Sequence, residues 1–309
     1  MRDYKNGIYC VDSGYEVEGL AAIHIILSNG RAAIVDTANN ASITRLTKAM
    51  DELDIALTNV DYIFLTHIHL DHAGGAGLFM REMPCARLVV HERGARHMIN
   101  PEKLIQGTVE VYGKSKAERL YGEIIPVPSE RVVVPSDGDE IQIGGRTIVC
   151  MDTPGHARHH LAFYDTSANA VFAGDAFGLS CFEFSGRDRS FVMPTTSPVQ
   201  FDPDAMHRSI DRIISTRADH LYITHFGEIA GQSGAASDLH RLIDDYIKIA
   251  QESSGDVEQI KRGLETLFRE EVIRHGETSS PDMESVAVKS TVDLNASGLA
   301  VWYAKQKNV

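Results

Sequence analysis

The stretch FLTHIHLDHAGG, residues 64 to 75, puts His67, His69, Asp71 and His72 into six consecutive positions directly behind an apolar run. In an extended segment, residues two apart point to the same side, so His67 and His69 at the end of a strand can converge on one point. Asp71 and His72 fall where the strand turns into a Gly-rich loop and the start of a helix. Four side chains of metal-binding type this close together demand a fold that ends a buried strand at a polar edge. A short cluster cannot surround two ions by itself, so further ligands are expected at other strand ends. DTPGH ends in His156, VFAGD in Asp175 and LYITH in His225, each behind an apolar β-like run.

Composition narrows the setting. A chain of 309 residues with 43% apolar content can bury a sizeable core without staples. Lys plus Arg number 30 against 43 Asp plus Glu, and the net charge of -13 has the wrong sign for capturing a phosphate backbone. Nucleic acid is therefore disfavoured as a partner and a small-molecule substrate favoured. Cys10, Cys85, Cys150 and Cys181 lie far apart and form no CxxC pair, which reads as free, mostly buried thiols in a reducing compartment. The apolar runs fall short of the roughly 20 residues that span a bilayer, so a soluble cytoplasmic protein without a membrane partner is expected.

From the N-terminus to residue 231 short β-rich runs alternate with helical stretches near 42–57, 92–100 and 203–216. AAIHIILSNGRAAIVDT reads as two strands joined at Ser28-Asn29-Gly30, a hairpin turn. Beyond 231 the pattern becomes all-helical. Leu239, Leu242, Ile243, Tyr246, Ile247 and Ala250 share one helical face, Ile260, Leu264, Leu267, Phe268 and Val272 another. A third segment from about 283 to 306 carries Leu294, Leu299, Val301 and Trp302, suited to packing on the body or on a second subunit of a homodimer. The expected organisation is a catalytic domain, 1–231, with a C-terminal helical extension, 232–309, packed on it.

The HxHxDH run at 67–72, TPGH ending in His156, GD ending in Asp175 and THFG carrying His225 resemble the metallo-β-lactamase superfamily of metallohydrolases. The resemblance runs in matching order over about residues 5 to 231. It implies an α/β fold, the αββα sandwich of two mixed sheets back to back with helices outside and metals at one edge, here with the C-terminal helical extension. Carried over by position, His67, His69 and His156 hold one metal, Asp71, His72 and His225 the other, and Asp175 bridges both; Asp71 is also assigned the catalytic role. Imidazoles and carboxylates suit two divalent metal ions, zinc first, with iron and manganese as alternatives. Two close ions polarise a substrate oxygen and lower the pKa of a shared water to about 7. The function expected is a binuclear hydrolase attacking a small ester, thioester or lactone with a metal-bound hydroxide. A phosphodiesterase of the same fold and a mononuclear iron persulfide dioxygenase are the alternatives.

Departures from individual branches sharpen this. True β-lactamases often carry a cysteine where this chain has Asp175, flavodiiron proteins a glutamate where it has His69, and homoserine-lactone-cleaving relatives a tyrosine where it has Gly178. Glyoxalase II relatives share the cluster and a helical tail, but the tail here shows no set of basic residues for a glutathione carboxylate. The Gly186-Arg187 pair is faintly similar to that of the persulfide dioxygenases. The stretches TPGHARHHL, VVHERGARHMINPEKL, MPTTSPVQFDP and ITHFGE are most similar to a little-characterised subgroup of stand-alone hydrolases. Among neighbouring residues, His159 and His160 are candidates for orienting ligands, His24 reads as structural, His91 and His97 as surface residues, and the connection 177–201 as a pocket wall. Residues 295–297, NAS, match a glycosylation acceptor that a cytoplasmic location makes irrelevant.

Overall fold

In the computed structural model, which describes residues 1–181, 184–185, 188–196, 199–276 and 281–307, Asn29 and Gly30 take φ of 48° and 72°. Two successive left-handed residues match the twist of flanking strands, and they join β3 (Ala22–Ser28) to β4 (Arg31–Val35). This hairpin belongs to a seven-stranded mixed sheet with β1 (Arg2–Asp3), β2 (Ile8–Asp12), β5 (Val60–Phe64), β6 (Arg87–Val89) and β7 (Val132–Val133), arranged in chain order. The first four strands pair antiparallel and the rest parallel. A six-stranded second sheet contains β8 (Glu140–Ile143), β9 (Arg146–Asp152), β10 (Leu161–Asp165) and β11 (Ala170–Phe172). After the short β12 (Leu179–Ser180) and β13 (Val192–Met193), it is completed by β14 (His220–Ile223) and β15 (Gly227–Glu228). Its order is β15-β14-β11-β10-β9-β8.

Alternation along the strands sends side chains to two cores. Ile8, Ile26, Ala33, Val35 and Phe64 of the first sheet meet Ile143, Ile148, Phe163, Phe172 and Tyr222 of the second. The opposite face of the first sheet, with Ile23, Ile25, Ile34 and Ile63, is covered by helices α1 (Ile43–Glu52), α3 (Ala76–Glu82) and α4 (Glu92–Ile99), which contribute Leu46, Met50, Phe79, Met80 and Met98. A one-turn helix, α2 (Leu70–Ala73), precedes α3, and α5 (Glu102–Tyr112) and α6 (Lys114–Tyr121) follow α4. Neither α5 nor α6 is among the elements expected from sequence.

The chain divides into two compact units that do not follow one boundary along it. The first comprises Met1–Asp152, His159–Gly174 and Ala218–Gly227, and holds both sheets with α1 to α6; the second comprises Thr153–Arg158, Asp175–Arg217 and Glu228–Val309. The second contains α7 (Pro203–Ser215), α8 (Gln232–Glu252), α9 (Val257–Arg274) and α10 (Val286–Gln306). Asp202 caps α7 by accepting from Ala205 N at 3.0 Å, with proline as its first residue. The apolar stripes of α8 and α9 are buried as their spacing predicts, Ile247 alone of those named being half-exposed. Among the described residues no helix is long and apolar enough to cross a membrane.

Candidate metal centre

β5 lies between β4 and β6 and ends at Phe64, earlier than the histidine spacing suggests. Leu65 N still donates to Val89 O, but Thr66 N turns to the Asp36 carboxylate at 2.8 Å, which ends the ladder. His67 and His69 follow in the segment after the strand, their Nε2 and Nδ1 atoms 2.9 Å apart. His69 is the residue before α2, so Asp71 and His72 occupy that helix's single turn. His225 follows β14. Its Nε2 lies 3.1 Å from His72 Nε2 and 3.4 Å from Asp71 Oδ2, and His72 Nε2 is 3.8 Å from the same oxygen.

The tautomers follow from the partners on the far sides of these rings. His72 Nδ1 donates to Asp36 Oδ2 at 2.8 Å and His225 Nδ1 to the Leu20 carbonyl at 2.7 Å. With Nδ1 donating, each ring in its neutral tautomer presents its Nε2 lone pair to the other ring and to Asp71. Three acceptor atoms crowded together repel unless a cation sits among them, which is the chemistry of a metal-ligand set. Asp71, His72 and His225 meet the distance requirement for holding one ion. Burial works against ionisation of Asp71, but in the metal-free chain His72, His225 and His69, when protonated, outweigh it and hold its carboxyl well below the usual range.

Asp36 was not singled out in the sequence, yet it supports this arrangement. Wholly buried, it accepts from Thr66 N, from Thr66 Oγ1 and His72 Nδ1 at 2.8 Å each, and from Thr224 Oγ1 at 2.7 Å. Its only signal is an acid directly behind the apolar run AAIV, in the strand that turns out to lie parallel to β5. Carboxylates in this position fix ring orientation and raise ligand basicity.

The second unit carries two further candidates. His156 and Asp175 are nearly fully buried, with Nε2 and Oδ2 3.6 Å apart. His156 Nδ1 donates to the Thr195 carbonyl at 3.3 Å, and Thr195 Oγ1 donates to Asp175 O at 3.2 Å, so one residue orients both.

Nearby expectations resolve individually. The His159 and His160 rings lie 6.1 and 5.2 Å from His67, and His159 lies 5.5 Å from His69. His24 is buried between the sheets against Tyr4, Phe172 and Tyr222. His91 accepts from Arg93 N at the start of α4 and lies 3.4 Å from Asp152, whereas His97 pairs with Arg96. In the connection 177–201, Phe184 and Phe191 pack on Phe268 of α9, and the Gly186-Arg187 pair lies outside the described residues. Asn295 is buried, accepting from Thr196 N at 2.7 Å and donating to Pro194 O at 3.1 Å, so it is no glycosylation acceptor in the folded chain. Among the described residues no disulfide joins the four cysteines; Cys10 and Cys150 are buried and Cys85 is exposed.

A family model of the metallo-beta-lactamase superfamily matches residues 18–225, a span that includes all seven candidate ligands. The chain is 24% identical over 233 residues to the metallo-beta-lactamase fold-containing protein ST1585 of Sulfurisphaera tokodaii, covering 72% of this chain and 80% of that protein. It is 30% identical over 160 residues to a hydroxyacylglutathione hydrolase of Stenotrophomonas maltophilia, a match covering 51% of this chain and 46% of the relative's length. Among solved structures, the metallo-beta-lactamase family protein TTHA1429 from Thermus thermophilus aligns with TM-score 0.68 at 21% identity, over 98% of this chain and 94% of that one. The structure of ST1585 aligns with TM-score 0.66 at 20% identity, over 95% and 98% of the two chains. At such identities the structural likenesses establish the fold, an αββα sandwich with C-terminal helices.

Proposed function

This chain belongs to the metallo-β-lactamase superfamily, and from that premise we propose that it is a binuclear metal-dependent hydrolase of a small ester, thioester or lactone. The observation that carries the reading is the convergence of His72 Nε2, His225 Nε2 and Asp71 Oδ2, with both rings tied from behind. In this proposal His67, His69 and His156 hold one ion, Asp71, His72 and His225 the second, and Asp175 bridges them. Zinc suits the imidazole and carboxylate donors, and iron or manganese are the alternatives. The ions would supply Lewis acidity, polarising the acyl carbonyl and lowering the pKa of a water to about 7.

The chain's own groups do the remaining work. Asp36 and the Leu20 carbonyl keep the His72 and His225 rings in the orientation that aims Nε2 inward. Asp71, the carboxylate among the groups that would hold the second ion, accepts a hydrogen from the attacking water and orients it. Support for thioesters comes from the relatives named hydroxyacylglutathione hydrolase, and the charge of -13 favours a small substrate over a polyanion.

Metal-loaded protein assayed on an aryl ester, an acyl thioester, a lactone, a phosphodiester and a persulfide tests the proposal. Hydrolysis of an acyl substrate is expected, and kcat/KM on it should fall at least about 100-fold in Asp175→Ala but less in His159→Ala. Equal losses would break the ligand assignment. Turnover of the phosphodiester alone, or oxygen consumption with the persulfide, would replace the hydrolase by one of its rivals.

A further inference from the structure

Two histidines outside the superfamily motif meet across helices of the second unit. On α7, His207 is followed one turn later by Asp211, and on α8, His240 is followed one turn later by Asp244. Each histidine is faced by the other helix's aspartate: His240 Nε2 lies 3.1 Å from Asp211 Oδ1 and His207 Nε2 lies 3.4 Å from Asp244 Oδ1. The two Nδ1 atoms are 2.6 Å apart, with the ring planes within 11° of parallel. The histidine side chains are 25% and 29% exposed and both aspartates 74%, so the cluster opens to water.

The carboxylates set the tautomers. A neutral ring that turned an Nε2 lone pair towards a carboxylate would oppose acceptor to acceptor, so the hydrogens belong on Nε2 and the Nδ1 atoms are left as acceptors. Two acceptor nitrogens in contact repel unless they share a cation. An imidazole that gives one N–H to a carboxylate has its orientation fixed and its other nitrogen made more basic, the usual support of a metal ligand. Both rings have that support here. With zinc–nitrogen distances of about 2.0–2.1 Å, a tetrahedral ion needs its two nitrogens about 3.3 Å apart. The rings reach that spacing by swinging apart less than about 1 Å, which side chains open to water on one side can do.

We propose that His207 Nδ1 and His240 Nδ1 form a separate metal site, which takes a divalent transition ion (zinc, nickel or copper) and fastens α7 to α8. No residue of the candidate metal centre takes part, so the site does not depend on the hydrolase reading. The fastening bears on that centre all the same, because α7 holds the segment that carries His156. Ser209 Oγ donates to Pro154 O at 2.5 Å, and Asp202 N, at the cap of α7, donates to Gly155 O at 2.8 Å. With two protein ligands, against three-residue sets in the candidate centre, the α7–α8 ion is held more weakly and is removed by dialysis.

Zinc-loaded, dialysed full chain titrated with zinc chloride in a calorimeter reads the site by difference. Wild type should take up one more ion than His207→Gln and one more than His240→Gln, whatever number the candidate centre retains. Asp211→Ala should keep this uptake with Kd raised about tenfold, the lower end of the effect of losing a ring's carboxylate partner, because this carboxylate is exposed. Added zinc should raise Tm in wild type and in neither histidine variant. Both histidine variants should keep the wild-type zinc content after dialysis. No additional ion in wild type would overturn the proposal and leave the pair holding only a proton. Uptake retained in either histidine variant would place the ion elsewhere and overturn it too, as would an unchanged Kd in Asp211→Ala, which removes the tautomer the site requires. Loss of dialysis-resistant zinc from either histidine variant would contradict a separate site.

Discussion

His24 shows what a single buried side chain contributes. It faces Cys10 across the β2–β3 pair, and among the described residues its Nε2 has no hydrogen-bond partner. Burial lowers its pKa to about 4 against a small opposing effect of Asp36. The unfolded chain, with an ordinary value of 6.5, takes up a proton first as pH falls. Stability from this group is thus complete above pH 6.5, is lost towards pH 4, and stays lost below it, a change of about 3 kcal/mol. His24→Leu should flatten the wild-type fall in unfolding free energy between pH 7 and 4 by about that amount, measured by denaturant titration; an unchanged slope would remove His24 as its source. Asp36 acts on chemistry. Asp36→Ala should weaken zinc binding about 10- to 100-fold by releasing the His72 ring, read by chelator competition, whereas unaltered affinity would mean that Thr66 and Thr224 suffice. The candidate ligands were legible in sequence because metal chemistry restricts residue type and strand ends restrict position. Asp36 was not, since one acid after an apolar run also fits the end of any surface hairpin.

Among the elements, the long regular ones were readable and the exposed ones were not. The stripes on α8 and α9 repeat every three or four residues because one face of each is buried. In α5 no residue is fully buried, and Gly107, Thr108, Val109 and Val111 lower its helix propensity, so neither periodicity nor composition announces it. The buried faces of α8 and α9 also carry charge. Arg241 forks onto Glu271, which is 1% exposed, with bonds of 2.9 and 2.6 Å, and reaches Asp238 at 3.2 Å. Arg241→Met leaves that buried carboxylate without its bidentate partner and should cost about 3 kcal/mol. A double change with Glu271→Leu should recover most of the loss. Equal Tm values for wild type and Arg241→Met would show that the pair is solvated enough to be neutral.

At the scale of the whole molecule, seven residues scattered over 159 positions of sequence fall into two sets that the fold positions separately. His67, His69, Asp71, His72 and His225 belong to the sheet-bearing unit, and His156 and Asp175 to the helical one. Sequence order within the superfamily motif revealed the set, but not this partition, because Thr153–Arg158 and Asp175–Arg217 pack with the helices that follow residue 228 rather than with the strands beside them in the chain. The central claim, that both sets serve one binuclear centre, is tested most directly by counting metal. After zinc loading and exhaustive dialysis, elemental analysis should find two ions per wild-type chain. One firmly bound ion per chain, unchanged by added zinc or manganese, would contradict the account.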